Sequence, residues 1–416
     1  MKRFAPLLIA LMGFVAQSLQ TDAHTIFSDN IKSLQVTVNG DWMSMPVMRM
    51  GTNDHLYIGF DELSHDYHRM KYRIEHLEID GSVSEEIFES DYLEGMNDLL
   101  IDDYVKSINT NMLYTHYAIS LPNERCRLKL SGTYRLRVFN EDSDDECVLE
   151  AFFHVVEPLM NVGLSVDTNT DIDYNGEHQQ VSMVVNYNNL RVTNPDEQIF
   201  TLVMQNGNNN LPDIRKNVRP NLRNDRGLEW SHNKELIFKA GNEYRKFEIL
   251  DVDRNAMGVE RMRWDGQLFN AWLYVDEPRP NYLTDKDADG AFLIRNSDNS
   301  ETDYTCEYVK VHFTLKSPMH DFCPVINGAW TNDHDSSQYN MEWDEETKLW
   351  HTTILLKQGY YSYQYLLPQS ATGHYTPLPS EGNFFQTENR YQALVYYKET
   401  GARTWRLVGY QQVTIN

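Results

Sequence analysis

The sequence predicts an all-β, multi-domain chain of tandem β-sandwiches, and three observations carry that prediction. The length of 416 residues exceeds what one hydrophobic core comfortably serves and implies about two to four domains. Apolar and polar residues alternate over short runs separated by Asn-, Gly- and Pro-bearing turns, a period of two that only a strand produces. Tyrosine occurs 25 times, and aromatic side chains favour strands. With hydrophobic residues at 41%, the composition is that of a globular chain, not a disordered one.

Residues 1–18 read as a secretory signal. Lys2 and Arg3 precede an apolar run from Pro6 to Ala16, and Ala16-Gln17-Ser18 supplies a small-residue cleavage pattern. That run is shorter than the roughly 20 residues a spanning helix needs, and no later stretch suits a bilayer as a helix. An exported protein without direct membrane insertion is expected.

The first domain is assigned to 24–158. Ile31 to Val38, Leu56 to Phe60, Met70 to Ile79 and Tyr114 to Leu121 read as strands, and Leu130 to Phe139 turns through the acidic tip Asn140 to Glu146 into Val148 to Val156. The acidic run Asp91 to Tyr104 reads as a loop with a helical turn. A middle domain over 159–303 contains strand candidates at Val181 to Tyr187, Ile199 to Gly207, Lys234 to Val252 and Leu268 to Asp276. The third domain, 304–416, holds Tyr308 to Leu315, Met341 to Leu356, Gly359 to Leu367 and a terminal hairpin. In that hairpin Tyr391, Ala393, Val395 and Tyr397 share one face while Gln392, Leu394 and Tyr396 share the other, and Gly401 suits the turn before Thr404 to Tyr410. Large side chains on both faces mean that one face is buried and the other used or covered.

A formal net charge of −24 repels phosphate backbones and anionic membrane surfaces, so nucleic acid is excluded as a partner. Against that background the stretch Asn208 to Arg226 is basic, with Arg215, Lys216, Arg219, Arg223 and Arg226. It reads either as a solvated loop or as a docking patch for an acidic partner loop. The run from Asp285 to Gly290 sets Asp285, Asp287 and Asp289 at alternate positions, as a calcium loop does, but Asn296 occupies the twelfth position where a bidentate Glu is wanted. Strands on either side favour a simple turn, and no metal is assigned. His65, Asp66 and His68 lack the further ligands a zinc site needs. No catalytic or nucleotide-binding motif appears, so no catalytic or cofactor-binding residue is assigned and no small-molecule substrate is expected. Trp330, Trp343, Trp350, Tyr360, Tyr361 and Tyr363 form either an exposed aromatic platform or core. Cys126 with Cys147 and Cys306 with Cys323 each bracket a strand, which leaves local disulfides and free thiols both open.

Several runs carry a resemblance. FDEL at Phe60 to Leu63, DYLEG at Asp91 to Gly95, YVKSINTNMLYTHYAISLPN at Tyr104 to Asn123 and LSGTY at Leu130 to Tyr134 are joined by FTLVMQNG at Phe200 to Gly207 and FKAGNEYRKFE at Phe238 to Glu248. The chain closes with FFQTENRYQALVYYKETGARTWRLVGY at Phe384 to Tyr410. In order and spacing these resemble the plug protein family of the Bacteroidetes type IX secretion system. The segment Ile74 to Gly81 departs from it, with His76-Leu77 where the family shows a His-Cys pair and a nearby Trp. The third domain resembles immunoglobulin-like early-set domains, including glycogen-binding modules.

The first resemblance implies a non-enzymatic periplasmic subunit without a cofactor, associated with the outer membrane. It would bind the type IX translocon barrel and close its pore when no cargo shuttle is docked. Loop ends of the first domain or the basic segment are the expected contact surfaces. The second resemblance implies the alternative, an exported glycan-binding protein.

Overall fold

The computed structural model describes residues 23–207, 213–333, 336–368 and 375–415, and the signal-like residues 1–18 lie outside them. The fold is all-β, organised as several packed sheets with only single-turn helices between strands. No described helix is long and apolar enough to cross a membrane.

The first sandwich follows from the alternation already noted. Ile31–Val38, Leu56–Glu62, Thr115–Leu121 and Asp103–Lys106 form one sheet, while Glu146–Val156, Gly132–Asn140 and Met70–Leu77 form the centre of the other. Their inward residues meet in one core that includes Ile58, Tyr117, Ile74, Leu136 and Phe153. The acidic run resolves into a helical turn, Glu89–Tyr92, followed by short strands, because only Tyr92, Leu93, Leu99 and Ile101 reach the core there.

Beyond residue 159 the pairing departs from a division into 159–303 and 304–416. The strand Ile199–Gln205 pairs antiparallel with Arg390–Tyr397, Leu202 opposite Leu394, so the terminal hairpin completes the middle sandwich. Its facing sheet is built on Asn161–Asp167, His178–Asn186 and Gly227–Trp230. The third sandwich correspondingly starts earlier: Arg245–Ile249 pairs with Gly359–Pro368, and Phe269–Leu273 runs parallel to Tyr308–Leu315. The corrected third unit therefore spans about 245–377, as an insertion between the two halves of the middle one. Alternation reports that a segment is a strand; it carries no information about which distant strand completes its ladder.

Every residue of Arg390–Tyr397 is buried. Tyr391, Ala393, Val395 and Tyr397 fill the middle core with Val181, Val203 and Trp230. Leu394 and Tyr396 on the opposite face pack with Val156, Met45 and Leu407, which seats the first sandwich against the hairpin. The hairpin's second face is thus covered by the protein's own first domain. Gly401 takes φ +86° in the turn, a conformation costly for a side-chain-bearing residue.

Candidate functional site

The residues singled out in the sequence do not converge. Residues 208–212 of the basic segment lie outside the described part. Arg215 pairs with Asp213 and places its guanidinium 4.5 Å from the Phe238 ring centroid. Arg223 pairs with Asp196 at 2.6 Å. Lys216 ends a surface strand, Arg219 lies in the loop after it and Arg226 in the turn between Leu222–Asn224 and Gly227–Trp230, so this stretch is a partly self-neutralised surface.

The loop 285–289 is tied to protein partners, with Asp285 at the surface and its far end turned inward. Asp285 pairs with Lys246 at 2.5 Å, Asp287 accepts from the backbone N–H groups of Tyr244 and Asp289, and Asp289 pairs with Arg390 at 2.6 Å. Burial first, and then the neighbouring Asp289, pushes the Asp287 carboxyl well above its usual range. Among the described residues no group of three or more His, Cys, Asp or Glu side chains is placed to hold a metal ion. His68 bonds Glu62 at 2.7 Å, and His65 bonds the Ser107 carbonyl.

All four cysteines are free thiols, which closes the disulfide alternative. Cys126 and Cys306 are buried, and burial pushes their thiols up to about 11 and about 12. Of the aromatic set, Trp330, Trp350, Tyr361 and Tyr363 are core side chains, and Trp343 packs on Trp350 with 5.2 Å between ring centroids. No platform forms from them, because the third sandwich uses these rings to fill its interior.

What the fold does assemble is a set of buried ion pairs joining segments remote in sequence. Asp61, fully buried on the strand Leu56–Glu62 of the first sandwich, accepts from Lys357 Nζ at 2.7 Å, Tyr308 OH at 2.7 Å and His116 Nδ1 at 2.6 Å. Lys357 and Tyr308 belong to the third sandwich. Lys357 also donates to the Asp303 carbonyl and lies 4.2 Å from the Tyr114 ring centroid. Burial alone would raise the Asp61 carboxyl, but the charge of Lys357 and the bond from His116 hold it below its ordinary range. Glu307 reinforces the same seam by accepting from the backbone and side-chain amides of Asn111, at 2.5 and 2.8 Å.

A second pair ties three units at one point. Arg390, on the hairpin, pairs with Asp289, donates to the Ala288 carbonyl at 3.0 Å and reaches the Met43 carbonyl of the first sandwich. A third cluster sets Arg245 between Asp276, at 2.9 Å, and Glu381, at 3.1 Å, with Tyr363 and Tyr365 donating to Asp276. Burying one member of such a set without its partner costs several kcal/mol, so each cluster specifies how its segments meet.

Sequence reasoning missed Asp61, His116, Lys357 and Arg390. The only available signal was an ionisable residue inside an alternating strand, which says that a partner is needed but not where it lies. A cavity of about 110 Å³ sits between the first sandwich and the hairpin, lined by His24, Trp42, Met45, His154, Leu202, Met204 and Leu394 among others, and none of its described lining residues is acidic.

Fold and buried charge together define a stack of β-sandwiches whose ionisable groups hold its parts in register. The chain belongs to the type IX secretion system plug family: residues 31–157 match the family model described as the Type 9 secretion system plug protein 1st domain. A hypothetical protein from Parabacteroides merdae, solved by crystallography, is 36% identical with a TM-score of 0.89, over 94% of this chain and 99% of that one. No curated protein matches the chain. Family membership links the chain to type IX secretion and its components in the cell envelope.

Proposed function

We propose that this protein is a non-enzymatic periplasmic subunit that binds the outer-membrane type IX translocon barrel and closes its pore on the periplasmic side while no cargo shuttle is docked. The observation that carries this reading is the match of residues 31–157 to the plug family's first domain. The structure supports it physically. A stopper for a wide pore has to be stiff, and here buried pairs at Asp61 and at Arg390 lock the first sandwich to the rest of the chain. Asp61 is engaged by Lys357 and the Tyr308 phenol, and Asp289 by Arg390, a holding arrangement.

Deleting the gene should leave the outer membrane leaky to dyes and large antibiotics, and affinity purification of the protein from envelopes should bring down the translocon barrel. Normal permeability in the deletion strain together with no recovered barrel would end the gating reading. The glycan-binding alternative draws no support from Trp330 and Trp350, which are 5% and 2% exposed.

A further inference from the structure

The outer face of one third-domain sheet carries a cationic ladder that the gating reading does not use. Among the described residues its edge strand, Val259–Trp264, pairs on one side only, with Phe269–Leu273, which continues into Tyr308–Leu315 and Leu349–Lys357. Register places Arg261, Trp272, His312 and Thr353 in one row across four strands, and Arg263, Asn270 and Lys310 in the next. The Arg261 guanidinium lies 4.1 Å from the Trp272 ring centroid, and His312 stacks on the same indole at 4.6 Å with planes 7° apart. Thr353 and Asn270 hold the His312 ring by hydrogen bonds of 2.8 Å each.

Arg261 and Arg263 are exposed, and no described carboxylate lies within ion-pair distance of either. Lys310 has only a 3.4 Å contact with Asp265, whose oxygens are also engaged by Gln267, Leu268 and Asn270. Glu260, the one acid on this strand, sits at the bulge between Val259 and Arg261, and its carbonyl is taken by Asn255. Unpaired guanidinium groups gathered on one face of a chain of net charge −24 call for an anionic partner.

We propose that this edge, with Arg261 and Arg263, docks an extended acidic polypeptide segment alongside the strand Val259–Trp264, while Trp272 and Lys310 lie further in on the same face and add to its apolar and cationic character. Arg261 and Arg263 are two residues apart on one face, so they repeat at about 6.6 Å, the interval between alternate carboxylates of an extended chain. Opposite charges set across neighbouring strands attract, and the half-paired edge supplies a backbone for strand addition. Screening over about 8–10 Å lets a narrow single strand sense these local cations, whereas a membrane sheet or a duplex would also meet the acidic surface around them. The chemistry of this surface is independent of whether its partner belongs to the translocon.

The test is calorimetric titration of the full mature chain with a blocked peptide of about ten residues alternating Glu and Thr, with the Lys–Thr and Gln–Thr peptides as controls. The expected result is saturable binding of the acidic peptide alone, weakened by salt, reduced at least about tenfold in Arg261→Glu/Arg263→Glu and unchanged in Arg223→Glu. Arg261→Gln/Arg263→Gln, checked by circular dichroism, decides the matter if the reversal variant misfolds. Absence of heat with the acidic peptide, or equal binding by the arginine variants, would overturn the proposal. So would a preference for phosphatidylglycerol vesicles over the peptide.

Discussion

The first sandwich meets the rest of the molecule along two seams built on opposite principles. Against the third sandwich it presents Asp61 and His116, and the contact is made by Lys357, Tyr308 and Glu307. Against the terminal hairpin it presents Val156 and Met45, which meet Leu394, Tyr396 and Leu407, with Thr133 bonding the Tyr396 hydroxyl at 2.7 Å as a polar pin. The apolar seam supplies burial, which is non-directional and roughly proportional to area. The charged seam supplies orientation, because displaced charges are left dry and unpaired. A body that must keep its shape against a partner benefits from both.

The largest expected effect comes from breaking the charged seam on one side. Lys357→Met should destabilise by about 3–5 kcal/mol, since Asp61 would keep its charge in a dry site. Adding Asp61→Asn should recover part of that loss. Urea midpoints of the two variants measure the difference, and a single variant as stable as wild type would show that the seam is not held by this pair.

At the apolar seam, Leu394→Ala removes a side chain with no exposure and should cost about 3 kcal/mol. Unlike the Lys357 variant, its cost should not change with Asp61 charge; additivity with Asp61→Asn in chemical denaturation checks this.

Acid should separate the seams by pH. His154, beside Thr133 at the apolar seam, is held down to about 4, chiefly by burial and further by its neighbour His24. Its folded pKa lies below the unfolded value of 6.5, so the unfolded chain takes up the proton first. Stability is complete above that value and falls with acidification towards about 4. The loss due to this group should reach about 2 kcal/mol by pH 5. Asp61 is a depressed carboxyl, so its contribution persists until the pH falls below the ordinary value of 3.8 and through its lower folded pKa. Melting temperatures from pH 7 to pH 3 should show that loss reduced in a folded His154→Gln variant, the remainder coming from His24, which burial likewise holds down to about 4.

The smallest effect is expected at the surface. Arg223→Ala should change stability by less than about 1 kcal/mol, because its Asp196 partner is 67% exposed and solvent already screens the pair. A thermal melt shifted as far as that of Lys357→Met would overturn the contrast between surface and seam.

Local alternation makes the strands of this chain legible but not their partnerships. Alternation in Arg390 to Lys398 announced a strand with two demanding faces, and both demands are met, one by the middle core and one by the first domain. The same alternation could not show that Ile199–Gln205, nearly two hundred positions earlier, would be the neighbour. The expected domain boundary near 303 is crossed by the ladders in both directions. The Asp285–Asp289 run read as a turn, while its role in receiving Arg390 lay beyond local pattern. The basic segment was legible as surface and the cationic sheet face was not, because Arg261, Lys310 and His312 become neighbours only when separate strands align.

Residue order alone established that the chain is all-β, acidic and related to the type IX plug family, because strand periodicity, net charge and motif order are properties of neighbouring residues. Which strands share a sheet, where the third unit is inserted and how Asp61 finds Lys357 were decided by the folded arrangement. Those choices depend on satisfying backbone ladders and buried charges across the whole molecule, a condition no local stretch contains.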